Sequence, residues 1–187
     1  MSIFPEAQAK AILTKVVGFS QADECTAQLN GATRGNVRFA RNDVSTAGVT
    51  DDIQLAVQVA FGKRVGTATI NQFDDASLQR VVRRAEELAR LAPENPEFMP
   101  AVPQQTYLKT NTFSAPTAAI DPAYRAKVAS DSIGPCRAEN LVAAGYLEDQ
   151  AGFVAFMNSK GNYGYQTSTS SDYTCTVRTP DGRGSGW

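Results

Sequence analysis

Apolar residues recur every three to four positions at Ala9, Ile12, Leu13, Val16 and Val17, behind Pro5-Glu6 and ahead of Gly18. That spacing predicts a first amphipathic helix of about three turns, which needs a sheet to cover its apolar stripe. The period then changes to two. Cys25, Ala27 and Leu29 alternate, Val37 and Phe39 follow, and Ile53, Leu55, Val57, Val59 and Phe61 share one face with Gln54 and Gln58 on the other. Alternation of that length predicts half-buried strands. Asn30-Gly31 and Asn42-Asp43 punctuate the strands, and Gly62-Lys63 predicts a tight hairpin into residues 64–71, so the sheet should be largely antiparallel. Asp74 or Asp75 offers an N-cap for a second helix whose stripe is Leu78, Val81, Val82, Ala85, Leu88, Ala89 and Leu91, with Pro93 ending it.

Beyond Pro93 the composition shifts. Prolines at 93, 96, 100, 103, 116 and 122, with little periodicity between them, predict an extended crossing segment. Asp121-Pro122 starts a helix through Tyr124 and Val128 towards Gly134, which Pro135 should break or restart. Short strands are expected at 141–147, 153–157, 163–169 and 173–177, separated by Asp149, by Asn158-Ser159-Lys160-Gly161 and by Ser170-Ser171-Asp172. The expected fold class is α+β: a mostly antiparallel sheet with helices on one face, followed by a partial second β-rich region. In domain terms this gives an N-terminal α/β domain over 1–92, a linker over 93–120, and the start of a helix-plus-meander domain over 121–187. The glycine-rich finish from Gly182 to Trp187 leaves a sheet edge open, so the second domain is expected to be truncated.

Composition narrows the function classes. Lys plus Arg total 18 against 19 Asp plus Glu, a net charge of −1, so no electrostatic footprint for nucleic acid is present. The start lacks a basic segment followed by an apolar run, and no apolar run approaches the roughly 20 residues that span a bilayer. Cys25, Cys136 and Cys175 are odd in number, far apart in sequence and form no Cys-x-x-Cys pair, which argues for reduced thiols and a cytoplasmic address. The chain has no histidine, which removes Ser-His-Asp and Cys-His catalysis and any histidine-ligated metal from this segment. No catalytic, cofactor-binding or metal-ligating residue is therefore assigned.

Several groups invite sharper readings. Arg80, Arg83, Arg84 and Arg90 share a helix and could bind phosphate, but Glu86 and Glu87 are interleaved, and Glu86 to Arg90 is a favourable i,i+4 pair, so a solvated face is expected. The carboxylate pairs Asp51-Asp52, Asp74-Asp75 and Glu86-Glu87 point in different directions as neighbours, which favours cap and surface roles over acid/base work. Cys136 after Pro135 could be an activated thiol at a helix N-terminus, but lacks a histidine base and reads better as a small buried hydrophobe. Tyr163, Tyr165 and Tyr173 could stack bases, yet no basic groove accompanies them, so packing pairs are expected. Pro180-Asp181-Gly182 reads as a turn and not as part of a phosphate cradle.

Longer words resemble a known family. They are Val37-Arg38-Phe39-Ala40-Arg41-Asn42, the stretch from Val59 through Gly62-Lys63-Arg64-Val65-Gly66 to Asn71, Leu88-Ala89-Arg90-Leu91-Ala92-Pro93-Glu94-Asn95-Pro96, Asn158-Ser159-Lys160-Gly161, and Asp181 to Trp187. Their order is similar to that in the TldD/PmbA family, historically called modulators of DNA gyrase. The resemblance implies an N-terminal α/β domain and the beginning of a central β-rich domain, in a longer zinc metallopeptidase acting on unfolded or small peptides. The family's His-Glu-x-x-x-His motif and a further cysteine ligand would lie outside this segment, with zinc only in the full-length protein. The expected role is the substrate-enclosing, dimer-forming part of such a peptidase, inactive alone. Its partners would be a peptide substrate and a second subunit, in a homodimer or a TldD-PmbA-type heterodimer, with no nucleic acid and no membrane. The alternative is a non-catalytic PmbA-like partner subunit or peptide-binding module.

Overall fold

Arg41 and Asn42 both adopt left-handed backbone angles, φ 53° and 61°, and form the two-residue turn between β1 (Glu24–Ala40) and β2 (Asp43–Phe61). Positive φ at both central positions matches the twist of the flanking strands, and Asn tolerates it better than most residues. In this computed structural model, which describes residues 3–187, Asn42 also anchors the turn. Its Nδ2 donates to the Leu141 carbonyl at 2.7 Å and its Oδ1 accepts from the Ala143 amide at 2.7 Å. The Gly62-Lys63 hairpin forms as expected, with Gly62 at φ 58°, and joins β2 to β3 (Arg64–Ile70) in register from Leu55 opposite Ile70 to Phe61 opposite Arg64.

With β4 (Val142–Asn158), β5 (Tyr163–Arg178) and β6 (Ser185–Gly186), the strands form one antiparallel six-stranded sheet in the order β3-β2-β1-β4-β5-β6. Helices packed against it make the fold α+β, as the pattern predicted. The helices are α1 (Glu6–Phe19), α2 (Asp75–Leu91), the one-turn α3 (Ala115–Ala118) and α4 (Pro122–Ala138). Two compact units share these elements. One comprises the chain up to Gly31, Asp52–Asn111 and Gly152–Thr167; the other comprises Ala32–Asp51, Thr112–Ala151 and from Ser168 onward.

In the first unit, α1 buries Ala9, Ile12, Leu13 and Val16, and α2 buries Leu78, Val81, Val82, Ala85 and Ala89, against Cys25, Ala27, Leu29, Leu55, Val57, Val59, Phe153 and Ala155. All the strand residues in that set are odd-numbered, so both helices cover one face of its sheet. Asp74 caps α2 by accepting from the Ser77 amide at 2.9 Å, and bonding with Ser77 holds its carboxyl below the usual range. Leu91 falls off the predicted stripe and is 84% exposed. In the second unit, α4 packs Ala129, Ile133 and Cys136 on Val37, Phe39, Ala143 and Leu147.

Four local expectations are overturned. Asn30-Gly31 lies inside β1, because buried odd positions continue on both sides of it, from Cys25 to Leu29 and from Gly35 to Phe39. Pro135 does not break α4: Gly134 and Pro135 face solvent, where a freed carbonyl can be hydrated, while Ile133 and Cys136 hold the helix to its core. The four short strands expected after residue 140 are two long ones. Asp149 is accommodated in β4 because its charge is paired, and Ser170-Ser171-Asp172 are exposed positions of β5.

Cys25 is buried, and burial, opposed by a hydrogen bond with Ser20 and reinforced by the nearby Glu86 carboxylate, pushes its thiol up to about 11. At pH 8 roughly a thousandth of it would be thiolate, so iodoacetamide should label Cys25 far more slowly than an exposed thiol, as peptide mass mapping would read. Rapid labelling in the folded chain would contradict this packing.

Candidate functional site

The charged residues of α2 are each occupied within the first unit. Arg83 Nη1 donates to Glu86 Oε2 at 2.6 Å, Arg84 pairs with Glu87, Arg80 donates to Gln72 and Ser77, and Arg90 lies 4.5 Å over the Phe61 ring. Glu86 is not on a solvated face. It is 1% exposed and accepts from the Gln21 amide at 2.6 Å, so the expected pair with Arg90 is replaced by the pair with Arg83. The requirement for Glu86 comes from the free amide at Gln21, sixty-five residues away, which no helical periodicity reveals.

The remaining candidates also have structural partners. Asp75 pairs with Lys15 at 2.7 Å, and Asp51 accepts from the Thr33 hydroxyl. Cys136 is buried in the last turn of α4 and not at a helix N-terminus. Tyr165 donates to the Phe4 carbonyl at 2.8 Å and Tyr163 to the Glu6 carbonyl at 3.4 Å; burial pushes the Tyr163 phenol up to about 12. Tyr173 shares a hydrogen bond with Ser132 at 2.8 Å, so the three rings serve as struts. Asp181 closes its turn by accepting from Thr179 Oγ1 and the Arg183 amide.

Asn158-Ser159-Lys160-Gly161 and the following Asn162 build an anchor in the first unit. Asn158 Oδ1 accepts from the amides of Lys160 and Asn162, Ser159 exchanges hydrogen bonds with the Cys25 backbone, and Lys160 pairs with Glu24 at 3.3 Å. Gly161, at φ 87°, supplies the left-handed step. Asn162 is 1% exposed and holds the extended segment after α2. It accepts from the Gln105 amide and the Tyr107 hydroxyl, and donates to the Val102 and Pro103 carbonyls. Earlier in that segment, the Asn95 amide donates to the Lys63 carbonyl at 3.0 Å and the Ala101 amide to the Glu24 carboxylate at 2.9 Å. The segment is thus a strap crossing the sheet face opposite the helices, over a cleft of about 380 Å³ lined by Thr26, Gln58, Ala60, Phe98 and Met99. Asn162→Ala should free the strap, raising its cleavage by a nonspecific protease about ten-fold by loosening the locally bonded state. Unchanged cleavage between residues 98 and 108 would show that the strap is held by other contacts.

The second unit contains a feature that the sequence pattern did not reveal. β3 pairs with β2 only from Leu55 to Phe61, so among the described residues Asp43–Asp51 has β1 as its one strand neighbour. Every residue of Asp43–Asp51 is exposed, with Val44 at 47% and Val49 at 52%. Beside this edge is a cleft of about 270 Å³: Val44, Ala47 and Val49 form one wall, Val37 the floor, and Pro122, Arg125 and Ala126 from the first turns of α4 the other wall. Arg125 Nη1 donates to Asp149 Oδ1 at 2.7 Å, with side chains only 5% and 11% exposed. Gly35 seats the guanidinium, because a Cβ there would lie 2.0 Å from Nη1. The cleft is apolar, its one lining cation is neutralised by Asp149, and it lies beside the outer edge of residues 44–50. The sequence signal was the β-branched content of 44–50 (Val44, Thr46, Val49, Thr50), which lacks the alternation of a half-buried strand.

These features define an α+β chain with a long-armed antiparallel sheet, a strapped face and an open edge, and comparison with known proteins agrees in kind. Residues 29–89 match the family model described as PmbA/TldA metallopeptidase domain 1. The resemblance to the TldD/PmbA family is thereby borne out over residues 29–89, the part of the chain that matches this first-domain model. TldE from Thermococcus kodakarensis shares the fold at TM-score 0.79 and 14% identity, over 90% of this chain and 38% of that one. A protein described as a modulator of a DNA gyrase from Thermotoga maritima MSB8 does so at TM-score 0.77 and 8% identity, over 91% and 40%. A protein from Bacteroides thetaiotaomicron VPI-5482, described as a modulator of DNA gyrase, follows at 0.68 and 13%, over 92% and 40%. The chain therefore spans about two fifths of the length of these solved relatives. No curated protein sequence matches it.

Proposed function

We propose that this chain is the substrate-enclosing and dimer-forming front part of a TldD/PmbA-type metallopeptidase, cytoplasmic and acting on unfolded or small peptides, with hydrolysis carried out by residues outside it. The observation that carries the reading is the open edge of Asp43–Asp51 beside an apolar cleft, in a chain whose residues 29–89 match that family's first domain. The residues present do not fit a zinc ion: among the described residues no three or more His, Cys, Asp or Glu side chains group to hold a metal. Among them, too, no helix is long and apolar enough to cross a membrane.

The same edge and cleft favour a second reading, a non-catalytic PmbA-like partner subunit or peptide-binding module, which differs only in the chain it would accompany. The test incubates the 187-residue chain with a fluorescent unstructured peptide. Saturable binding by anisotropy without cleavage by mass spectrometry is expected. Chelator-sensitive cleavage would overturn the assignment of hydrolysis elsewhere, and absence of binding would remove the substrate-enclosing role.

A further inference from the structure

We propose that the free edge of β2, Val44–Thr50, accepts an extended peptide as an added strand, and that the favoured peptide has an apolar, β-branched centre with Lys or Arg at both ends. The proposal rests on the peptide-binding reading above and names the class of peptide.

Three observations carry it. First, the edge is open. Among the described residues no strand other than β1 neighbours residues 44–50, and the Val44 amide is satisfied by its neighbour's side chain, Asp43 Oδ1 at 3.0 Å, where a further strand would otherwise receive it. Second, the edge is unguarded. Natural sheet edges are blocked by Lys, Pro, bulges or a covering element, whereas Val44-Ser45-Thr46-Ala47-Gly48-Val49-Thr50 has no charge and no proline. Alternate side chains of an added strand would meet the cleft of about 270 Å³ between this arm and α4, whose walls are Val44, Ala47, Val49, Pro122 and Ala126. Third, the edge carries a carboxylate at each end, at Asp43 and Asp51, with Asp43 also accepting from the Val44 amide and Asp51 also accepting from Thr33.

The acidic ends choose the occupant. In antiparallel self-pairing across the whole edge, Asp43 of one copy would face Asp51 of the other, twice, and like charges directly opposite destabilise a pair. A strand with cations at both ends meets the opposite condition, gaining rate and register from the same two carboxylates.

The experiment measures binding of the 187-residue chain to two labelled peptides, Lys-Val-Thr-Val-Thr-Val-Lys and its Glu-ended counterpart. The Lys-ended peptide should bind about ten-fold tighter at low ionic strength, with the ratio shrinking as salt screens the ends. Two versions of that peptide, N-methylated at alternate amides in opposite phase, should separate, one losing binding and the other keeping it, because only alternate amides of an added strand face its partner. Thr46 shares the Val44 side of the ladder, so Thr46→Pro should abolish binding while leaving the circular dichroism and melting temperature near those of the parent chain. If Thr46→Pro unfolds the chain, the N-methylated pair still decides. Equal binding of the two N-methylated phases, or of the Lys- and Glu-ended peptides, would overturn the proposal while leaving the peptide-binding reading standing. A concentration-dependent dimer that Thr46→Pro dissociates would make a second copy the occupant and overturn it as well. No binding of any peptide would bring down both.

Discussion

Asp149→Ala is expected to destabilise the chain by about 3–5 kcal/mol in urea unfolding, the range for removing one partner of a buried ion pair. The guanidinium of Arg125 would stay in its seat over Gly35, 5% exposed, without its carboxylate. Desolvation of an unmatched charge is the dominant cost, so replacing both partners is the informative control. Arg125→Met with Asp149→Leu together should recover most of the loss, since an apolar pair of similar volume in such a site is often neutral or stabilising. A single Asp149→Ala loss below about 1 kcal/mol would mean that water reaches Arg125 and that the pair behaves as a surface salt bridge.

Gly66→Ala should cost about 3 kcal/mol or more, at the upper end for overpacking a core. A Cβ on Gly66 would lie 2.2 Å from the Ala85 carbonyl oxygen and 2.3 Å from the Ala89 amide nitrogen, both backbone atoms of α2. A side chain could rotate aside, whereas a helix backbone moves only as a whole, and shifting α2 would disturb the contacts of Val81, Val82, Ala85 and Ala89 together. Gly48→Ala serves as the reference, since nothing lies within 4 Å of its added Cβ. It should change stability by no more than about 0.5 kcal/mol. Equal effects at the two glycines would show that α2 does not press on β3 as closely as these distances state.

Local rules made part of this architecture legible. The stripe of α2 and its Asp74 cap, the α1 stripe, and the hairpins at Asn42 and Gly62 all depend on residues within one or two turns of each other, and periodicity reports such neighbours faithfully. The errors fell where a distant partner decided. Asp149 reads as a strand breaker until Arg125 is placed beside it, Pro135 as a helix breaker until the burial of Ile133 and Cys136 is known, and Glu86 as a surface residue until the Gln21 amide is found. Anchoring by Asn162 was likewise hidden, because a side chain that bonds four groups of the strap looks in sequence like any turn asparagine. The open arm of β2 escaped notice for the opposite reason: exposed on both faces, it has no alternation to report.

The interleaving of the two units bears on how the chain acquires its structure. Each unit is assembled from three separated stretches, and β1 finds its neighbour β4 only after more than a hundred intervening residues have been made. Closing so long a loop lowers chain entropy before any contact across it is gained, so folding should be slow compared with a helical bundle of equal length. Until β4 arrives, the inner edge of β1 is bare and must be kept from pairing with other chains. Aggregation during synthesis, more than weakness of the finished sheet, is therefore the hazard that this topology carries.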